Sequence, residues 1–473
     1  MAKKRARTIG YELEEQFFEA IRDADRVLPS GARNLPVLIG LMPHGSFTIP
    51  QESVLVRAAD FLRGSGRVYI YGSTIVLEIR QADGDGSQLA PLRSGSAVEV
   101  GAEDFLANIL VCQYGDKQFA VPKWFADVLL RSELLVPILP HIRHYATRPV
   151  FDQHFVLRGP GWHPEVGILV HGPAIEPVTL DEQHDLTAPA VQRLPPHLQA
   201  LLSGFCFSTD ADVANTIALM LTGTLMNHFV AGGKPIGLID GNQRDLGKTL
   251  LIRAIGMVLD GIDPQLIHFT PDDEELQKRM CATLRDSCQS VLIIDNAKLK
   301  VGSVVSSPAI ESNSMAPAIS LRILGRSHNF TRPNDVIWAL TMNNTRTSPD
   351  LVSRGIPIQM SYEGKTEERT FVVAKPVDYA LAHRLEILGE LAGMVVAWNQ
   401  AGRLRGTRGH RLHEWAAIIG GILETAGLPE FLTNAATAAA SFNVELEELA
   451  ALAEAVIQGG GPYIDHEHPN KGD

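Results

Sequence analysis

The chain has few cysteines, and no two of them are spaced as a metal-binding pair. The four are Cys112, Cys206, Cys281 and Cys288, and none belongs to a C-x-x-C motif. They lie in apolar or helix-forming surroundings, so we expect free thiols in a reducing compartment. The pattern therefore argues against a zinc site.

Long apolar runs and an excess of positive charge are also missing. The longest apolar stretches contain glycines or polar residues and are too short to span a bilayer, and the N-terminus is too polar for a signal peptide. We therefore expect a cytoplasmic protein that does not contact a membrane. With 42 Lys and Arg against 54 Asp and Glu, the formal net charge is -12. Any contact with DNA must then come from a local positive patch or a pore.

Length and hydrophobic content are those of a globular protein with several domains. The 473 residues are 45% hydrophobic, without an internal repeat, and correspond to roughly three domains of about 150 residues. The patterns predict an α+β N-terminal domain over 1–180, a linker and helical segment over 181–232, an α/β core over 233–362, a helical C-terminal domain over 363–458 and a disordered tail over 459–473.

Strand and helix patterns alternate in the core segment. Apolar runs at 236–239, 291–294 and 335–341 predict strands, with helices between them. Such alternation indicates a parallel sheet that binds its ligands at the carboxyl ends of the strands.

The strongest motif is a glycine-containing loop between a strand pattern and a helix pattern. It reads Gly241-Asn242-Gln243-Arg244-Asp245-Leu246-Gly247-Lys248-Thr249, and in this context it predicts a phosphate-binding loop. Helix-start N–H groups and the helix dipole favour phosphate there. Its five residues between the glycines exceed the usual four, and the alternative is a glycine-rich turn.

The loop predicts ATP and Mg²⁺ as cofactors. Lys248 is expected to reach the outer phosphates and Thr249 to ligate Mg²⁺. The predicted nucleotide-binding residues are Gly241, Asn242, Gln243, Asp245, Leu246, Gly247, Lys248, Thr249 and Leu250.

A second apolar strand pattern ends in the pair Asp295-Asn296. Asp295 is predicted to organise Mg²⁺; the alternative is a core strand that ends in an Asp-Asn turn. Asn296 stands where many ATPases carry a water-activating glutamate, and an amide cannot act as a base. Either Asp295 performs both tasks or another acid, Glu274 or Glu275, reaches the site, although both favour the first turn of a helix.

The third strand pattern ends in Asn343-Asn344, and an arginine follows it. We predict that Asn343 senses the terminal phosphate, with a plain Asn-Asn turn as the alternative. Arg354 is a candidate arginine finger that acts on the nucleotide of a neighbouring subunit. A surface arginine paired with Asp350 is the alternative.

This order of motifs resembles AAA+ ATPases, and within them the superfamily 3-like replicative helicases of plasmids and phages. Four runs are similar to the helicase portion of mobile-element primase–helicases: Asp240–Gln243 leading to Gly247–Thr249, Asp295-Asn296, Arg322–Gly325 and Thr341–Asn344. The resemblance covers roughly residues 50 to 455. It implies an α/β P-loop ATPase core with an AAA+ type parallel sheet, an α+β N-terminal domain and a helical C-terminal lid.

The resemblance also implies partners. They are single-stranded DNA and further copies of the chain in a ring, expected to be a hexamer. No acidic metal motif of a primase precedes residue 200, so primer synthesis would belong to a separate primase or polymerase. The long loop and Asn296 depart from the family pattern and put the hydrolysis rate in doubt more than binding.

DNA contacts are expected in residues 297–334, where rings of this type carry pore loops. The candidates are Lys298, Lys300, Arg322 and Arg326, with His328 and Arg332 adding to the positive cluster. An ordinary solvated loop is the alternative. The resemblance further implies a second arginine that reaches the nucleotide from the C-terminal domain. Arg411 is the candidate, and a basic surface loop is the alternative.

The predicted function is that of an ATP-dependent, ring-forming DNA helicase or translocase of a mobile genetic element. The alternative is a nucleotide-switched DNA-binding initiator, loader or defence ATPase that does not unwind DNA. A metabolic P-loop kinase fits less well, because it would not need the large N-terminal domain, the arginine finger or the helical lid.

Overall fold

A computed structural model describes residues 35–39, 41, 50–80, 87–93, 101–114, 116–180, 185–229, 232–286, 289–297, 304–323, 329–343, 346–365, 369, 372–442 and 454. The predicted tail, 459–473, lies outside them. The described residues divide into two compact units. The first unit contains the residues up to 174 together with 282–288 and 318–333, and the second contains the rest.

Short strands and helices alternate in the N-terminal part of the chain. They are β1 (Val37–Ile39), α1 (Glu52–Gly64), β2 (Val68–Tyr71), β3 (Thr74–Arg80), β4 (Ser87–Pro91), α2 (Ala102–Ala107), β5 (Val111–Tyr114), β6 (Lys117–Phe119), α3 (Lys123–Arg131), β7 (His141–Ile142), β8 (His144–Ala146), β9 (Val150–Phe151), β10 (Leu157–Arg158), β11 (Gly161–His163) and β12 (Ile168–Val170).

Longer elements follow up to residue 360. They are α4 (Pro196–Leu202), α5 (Asp210–Thr224), α6 (Met226–Phe229), β13 (Ile236–Gly241), α7 (Lys248–Asp260), β14 (Leu266–His268), α8 (Asp273–Asp286), β15 (Val291–Ala297), α9 (Pro308–Met315), β16 (Ala318–Arg322), β17 (Asn329–Pro333), β18 (Ile337–Met342), α10 (Pro349–Ser353) and β19 (Gly355–Met360). The described C-terminal part is helical, with α11 (Pro376–Ala382), α12 (Arg384–Gln400), α13 (His413–Thr425) and α14 (Ala435–Phe442).

The first unit is built on small sheets packed against helices. Strands β4, β3, β2 and β7 form one sheet in that order, β1, β5 and β6 a second, and β11, β12 and β8 a third. Leu62 of α1 and Phe125 and Leu129 of α3 are fully buried in one hydrophobic core. The α+β character expected of this region from its sequence is therefore present.

The antiparallel hairpin β16–β17 belongs to this first unit, although its sequence lies within the predicted core segment. Its Thr331 carbonyl accepts a hydrogen bond from the N–H of Ser73 (3.0 Å). Gly72 in the β2–β3 turn has φ +60°, and a Cβ there would collide with the same carbonyl. Only glycine therefore allows this turn to lie against the hairpin.

A five-stranded parallel sheet is the centre of the second unit. Its order is β14-β15-β18-β13-β19, and all four pairings are parallel. Every residue of β13 and of β18 is buried, which suits central strands covered on both faces. The three apolar runs that predicted strands correspond to β13, β15 and β18, whose carboxyl ends meet at one edge of the sheet.

The helices after the sheet are joined to earlier ones by buried polar contacts. Trp415 of α13 is 2% exposed, and its indole N–H donates to Thr222 Oγ1 of α5 at 2.9 Å. Its ring also packs against Phe431, with centroids 5.5 Å apart. Trp415 is thus a packing residue. Among the described helices, none is both long and apolar enough to cross a membrane.

Candidate nucleotide site

The glycine loop (residues 241–247) leaves β13 at the carboxyl edge of the parallel sheet and leads directly into α7. Asp245 and Gly247 have φ values of 59° and 92°, and α7 begins at the next residue, Lys248. A residue with a Cβ is disfavoured by roughly 1–2 kcal/mol in the left-handed region, so glycine suits position 247. The first N–H groups of α7 have no partner within the helix and are available to an anion.

Lys248 is 7% exposed, and its ammonium group folds back onto the loop. Its Nζ donates to the Gln243 carbonyl at 3.0 Å. Burial lowers the pKa of Lys248, and the carboxylates of Asp240, Asp245 and Asp295 partly offset this effect. Because the charged amine is desolvated and hydrogen-bonded only to a neutral group, an anion placed beside it would be strongly attracted.

Two residues of the loop support it from behind. The side-chain amides of Asn242 and Gln243 donate to the Tyr362 carbonyl at 3.2 and 2.8 Å, and that of Gln243 also reaches the Gly364 carbonyl at 3.2 Å. These amides therefore fix the loop to the chain after β19. Asn242 and Gln243 were predicted to bind nucleotide. In the structure their side-chain amides hold the loop in position through these hydrogen bonds.

A cavity of about 690 Å³ lies over the loop at the carboxyl edge of the sheet. This volume is within the range of small-molecule and cofactor sites. Its lining is Arg244, Asp245, Leu246, Gly247, Lys248, Thr249, Leu250, Arg253, Leu266, His268, Asp295, Asn296, Thr341 and Asn343. Gly241, Asn242 and Gln243 are the predicted binding residues outside this lining. The cavity unites the residues predicted at the ends of three separate strands.

The centre of the cavity is a hydrogen-bonded group of one carboxylate and two hydroxyls. Thr249 Oγ1 donates to Asp295 Oδ1 at 2.6 Å, and Thr341 Oγ1 donates to the same oxygen at 2.8 Å. The three residues come from α7, β15 and β18, which the parallel register brings together. Oxygen ligands of this kind suit Mg²⁺, which is usually held by one or two carboxylates together with phosphate and water.

The two candidate amides lie beside this group. Asn296 has φ 55° at an irregularity in the β15–β18 pairing, and its N–H donates to Thr341 Oγ1 at 2.9 Å. Asn343 Nδ2 lies 3.4 Å from Asn296 Oδ1. The left-handed backbone turns Asn296 towards Asn343, so the pair forms one polar wall of the cavity.

Glu274 and Glu275, the two candidate acids of α8, are not among the residues that line the cavity. Glu274 pairs with Lys278 at 3.1 Å and Glu275 pairs with Arg279 at 3.0 Å, both at exposed i,i+4 spacing. Their N–H groups are capped by Asp272 Oδ1 at 3.1 and 3.2 Å. They occupy the first turn of a helix, which is the position that their sequence favoured.

Five lining residues were not predicted from the sequence: Arg244, Arg253, Leu266, His268 and Thr341. Thr341 lies inside the strand pattern two residues before Asn343, where a hydroxyl gives little signal against an apolar run. His268 is the last residue of β14, and its Cα partner in the sheet is Asp295. An edge strand of only three residues carries almost no periodicity from which its end could have been located.

Arg354 lies at the amino ends of the parallel strands, whereas the glycine loop leaves the carboxyl end of β13. Its carbonyl accepts from the N–H of Ile236, the first residue of β13, at 2.9 Å. Its Nη1 lies 3.6 Å from both Glu311 and Asp350, and its side chain is 11% exposed. Among the described residues, Nε and Nη1 of Arg354 have no hydrogen-bond partner. The pairing with Asp350, which was the alternative to the arginine finger, is present, and Glu311 lies at the same distance from the guanidinium.

The predicted DNA-binding residues are only partly described. Lys298, Lys300 and Arg326 lie outside the described residues, and Arg322 is exposed at the end of β16. Arg332 is buried, with its guanidinium 5.2 Å from the Tyr71 ring centroid and Nη1 donating to the Leu284 carbonyl at 3.2 Å. Arg332 is therefore a packing residue of the first unit and is removed from the positive cluster.

His410 lies beside the amino end of β19 and is neutral at physiological pH. Its Nδ1 accepts from the Leu412 N–H at 3.0 Å, so its Nε2, 3.2 Å from the Gly355 carbonyl, carries the proton and donates. Burial lowers the pKa of His410 to about 4, and nearby His413 lowers it further while the Gly355 carbonyl opposes the shift. Protonation would also break the bond from Leu412.

This histidine predicts a stability change in acid. Its pKa is depressed in the folded state, so the unfolded chain binds the proton first as the pH falls below about 6.5. The free energy of unfolding should decrease between pH 6.5 and 4, by at most about 1.4 kcal/mol per pH unit from this group. Urea unfolding at pH 7 and pH 5 measures it. The loss should be smaller in His410→Gln, and an equal loss in both proteins would contradict the assignment.

Comparisons with known proteins add no support for a particular function. No family model matches the chain, and no curated protein matches it. Among solved structures, two apo structures of the C-terminal region of NrS-1 are similar to it. One has a TM-score of 0.30 at 12% identity, covering 69% of this chain and 70% of that one. The other has a TM-score of 0.36 at 12% identity, covering 72% and 68%. At these scores the likeness carries no argument about function.

Proposed function

We propose that the protein is an ATP-dependent motor that assembles into a ring and moves on single-stranded DNA. The observation that carries the proposal is the Thr249–Asp295–Thr341 group, which lies in a cavity that is also lined by Lys248 and by residues 244–247 of the glycine loop. A hydroxyl from the start of a helix and a carboxylate from the end of a neighbouring strand are the parts with which nucleoside triphosphatases hold Mg²⁺ and phosphate.

The donor set fits Mg²⁺ bound together with a triphosphate. Among the described residues, no group of three or more His, Cys, Asp or Glu could hold a metal without help. Mg²⁺ matches this, because it takes few protein ligands and completes its shell with phosphate and water. Thr249 and Asp295 would hold the ion, which would neutralise charge on the phosphates. Lys248 would leave the Gln243 carbonyl and pair with the outer phosphates.

Water activation is assigned to Asp295. Of the described residues that line the cavity, Asp245 and Asp295 are the acids, and Asp245 belongs to the glycine loop that is proposed to bind the phosphates. Asn343 and Asn296 are placed to hydrogen-bond the terminal phosphate or the attacking water, but an amide accepts no proton. A single carboxylate with two tasks predicts slower turnover than in a site with a separate base.

The position of Arg354 supports the proposal of a ring. It lies at the amino edge of the sheet, away from the cavity of its own chain, so its charge can assist hydrolysis only on a second copy. DNA contact is proposed for Arg322 in the β16–β17 hairpin, together with Lys298, Lys300 and Arg326. Each of these cations is of the type that contacts a DNA phosphate, even on an acidic protein.

The experiment compares ATP hydrolysis with and without single-stranded DNA, together with the mass of the particle. We expect single-stranded DNA to stimulate ATP hydrolysis. In the presence of an ATP analogue, we expect the particle mass to be that of a ring. A forked duplex should be unwound in one direction. Absence of ATP hydrolysis, or a monomeric mass under every condition, would overturn the proposal that the protein is a ring-forming motor.

A second candidate is a nucleotide-switched DNA-binding protein that does not unwind a duplex. Asn296 favours it, because slow hydrolysis suits a switch. DNA binding that depends on nucleotide, without directional unwinding, would support this candidate instead.

A further inference from the structure

Arg369 binds two backbone carbonyls with one guanidinium group, and one of them belongs to the glycine loop. Its Nη1 donates to the Leu246 carbonyl at 2.9 Å, and its Nη2 donates to the Gly204 carbonyl at 2.8 Å. Leu246 is a loop residue, whereas Gly204 lies in the turn between α4 and α5. An arginine suits this arrangement, because its donors form a planar fork of fixed geometry. Arg369 therefore connects the loop to a turn that is distant in sequence.

The ring of Tyr362 lies under the same guanidinium group. Cζ of Arg369 is 5.6 Å from the centroid of this ring, and a cation in that position is attracted to the face of the ring. The Tyr362 carbonyl accepts the side-chain hydrogen bonds of Asn242 and Gln243. The chain after β19 thus holds the glycine loop near its start through Tyr362 and near its end through Arg369.

The Leu246 carbonyl sets the orientation of the peptide that joins Leu246 to Gly247. A peptide group is planar and trans, so this carbonyl and the Gly247 N–H point in opposite directions. Both loop residues line the nucleotide cavity, whereas Arg369 is not among its lining residues. With the carbonyl bound to the arginine, the Gly247 N–H is directed away from the arginine. Successive N–H groups that are turned to one side form a concavity that binds anions.

The turn that contains Gly204 packs against the same peptide. A Cβ built on Gly247 would lie 3.5 Å from the Phe205 ring, and Cys206 Sγ lies 4.0 Å from the Leu246 carbonyl oxygen. Of these neighbours, Arg369 is the one that makes a charge-assisted hydrogen bond, which is the stronger kind. Its removal should therefore free this peptide to rotate.

We propose that Arg369 is a positioning residue of the phosphate site, which turns the Leu246–Gly247 peptide so that the Gly247 N–H faces the phosphates in the cavity. The inference rests on the function proposed above. Arg369 does not touch the nucleotide and acts through the Leu246 carbonyl. A loop that is already held in its binding conformation loses less freedom when the ligand binds, so the arginine strengthens binding. Because the same N–H faces the phosphates before and during hydrolysis, affinity depends on Arg369 more than kcat does.

The test measures nucleotide affinity and turnover in Arg369→Ala. We expect the Kd of a fluorescent ATP analogue to rise about tenfold, as for the loss of one hydrogen bond from a charged group. KM for ATP should rise with it, while kcat at saturating ATP stays within about twofold. Unchanged affinity in this variant, or a loss of kcat without a change in affinity, would overturn the inference.

Arg384→Ala is the matched control. Arg384 also binds two backbone carbonyls, those of Val258 and Leu259 at 2.9 and 2.8 Å, but it does so at the far end of α7. Its loss should change thermal stability and leave the Kd and KM near those of the unaltered protein. An equal loss of affinity in both alanine variants would assign Arg369 to general stability and would also overturn the inference.

Arg369→Lys separates the geometry of the guanidinium group from its charge. Lysine keeps the charge but lacks the fork that binds two carbonyls, so its Kd should rise about as much as in Arg369→Ala. This variant carries the test if Arg369→Ala shows no thermal unfolding transition. Full affinity in a folded Arg369→Lys would overturn the inference alone. Absence of nucleotide binding by the unaltered protein would overturn the proposed function together with it.

Discussion

Lys248→Ala is expected to abolish ATP turnover, lowering kcat by at least about 100-fold. Its amine is buried at the floor of the cavity, beside the loop and within the field of Asp240, Asp245 and Asp295. Without it, charge that develops on the transferred phosphate has no cation from the loop. Hydrolysis of ATP by the purified variant, measured as phosphate release, tests the prediction.

The folded state should tolerate this substitution. Lys248 donates a single hydrogen bond, to the Gln243 carbonyl, so removing the amine breaks no hydrogen bond to a buried carboxylate. Burial also disfavours its charged form in the folded protein. Thermal unfolding should therefore be close to that of the unaltered protein. Lys375→Ala is the matched control, because Lys375 is 80% exposed and pairs only with exposed Asp378. Retained turnover in Lys248→Ala would refute the assignment of the glycine loop.

Arg354→Ala is expected to eliminate hydrolysis while leaving nucleotide binding intact. An arginine that stabilises transition-state charge from a neighbouring subunit is worth about 10³–10⁵ in kcat. Binding is unaffected because Arg354 lies at the amino edge of the sheet, whereas the cavity lies at the carboxyl edge. The measurement is kcat beside the dissociation constant of a fluorescent ATP analogue.

The unusual burial of Arg354 makes a second variant necessary. Its guanidinium is loosely held at 3.6 Å from Glu311 and Asp350, and removing it leaves Glu311 with hydroxyl partners such as Ser348 Oγ at 2.9 Å. Glu311→Gln breaks the same ion pair but keeps the arginine, so it should retain hydrolysis. If both variants lose activity together with nucleotide binding, Arg354 has a folding role and no neighbouring nucleotide to act on.

Several local features could be predicted from the sequence. The apolar runs located β13, β15 and β18, because a central parallel strand is buried on both faces and its residues must be apolar along its whole length. The glycine loop located the start of α7 at Lys248, because helix-start chemistry and left-handed glycine conformations are properties of consecutive residues.

Other features required the fold. Thr341 shares the Asp295 oxygen with Thr249, although 46 residues separate Asp295 from either threonine. Glu311 could not be assigned to Arg354, and the choice between Glu274, Glu275 and Asp295 stayed open. In each case the chain is consistent with several side-chain partners, and only the packing of distant elements selects among them.

The β16–β17 hairpin shows the same division of information. Its position between the second and third strand patterns assigns it to the core segment in the sequence, where its cations form part of one positive cluster predicted to contact DNA. The structure assigns it to the first unit and buries Arg332 against Tyr71. A charged residue in a sequence is not necessarily exposed, because a long arginine side chain can pack on an aromatic ring as well as extend into solvent.

The turn from strand to helix around Gly247 and Lys248 can be located from the amino-acid sequence, and so can the acids and amides that end the nearby strands, because these are short-range properties of consecutive residues. The meeting of Asp295, Thr249 and Thr341 at one oxygen, and of Arg354 and Arg411 at Asp350, becomes visible only in the folded chain. The reason is that strand order and register, which set every distance between those side chains, depend on contacts summed over the whole sheet.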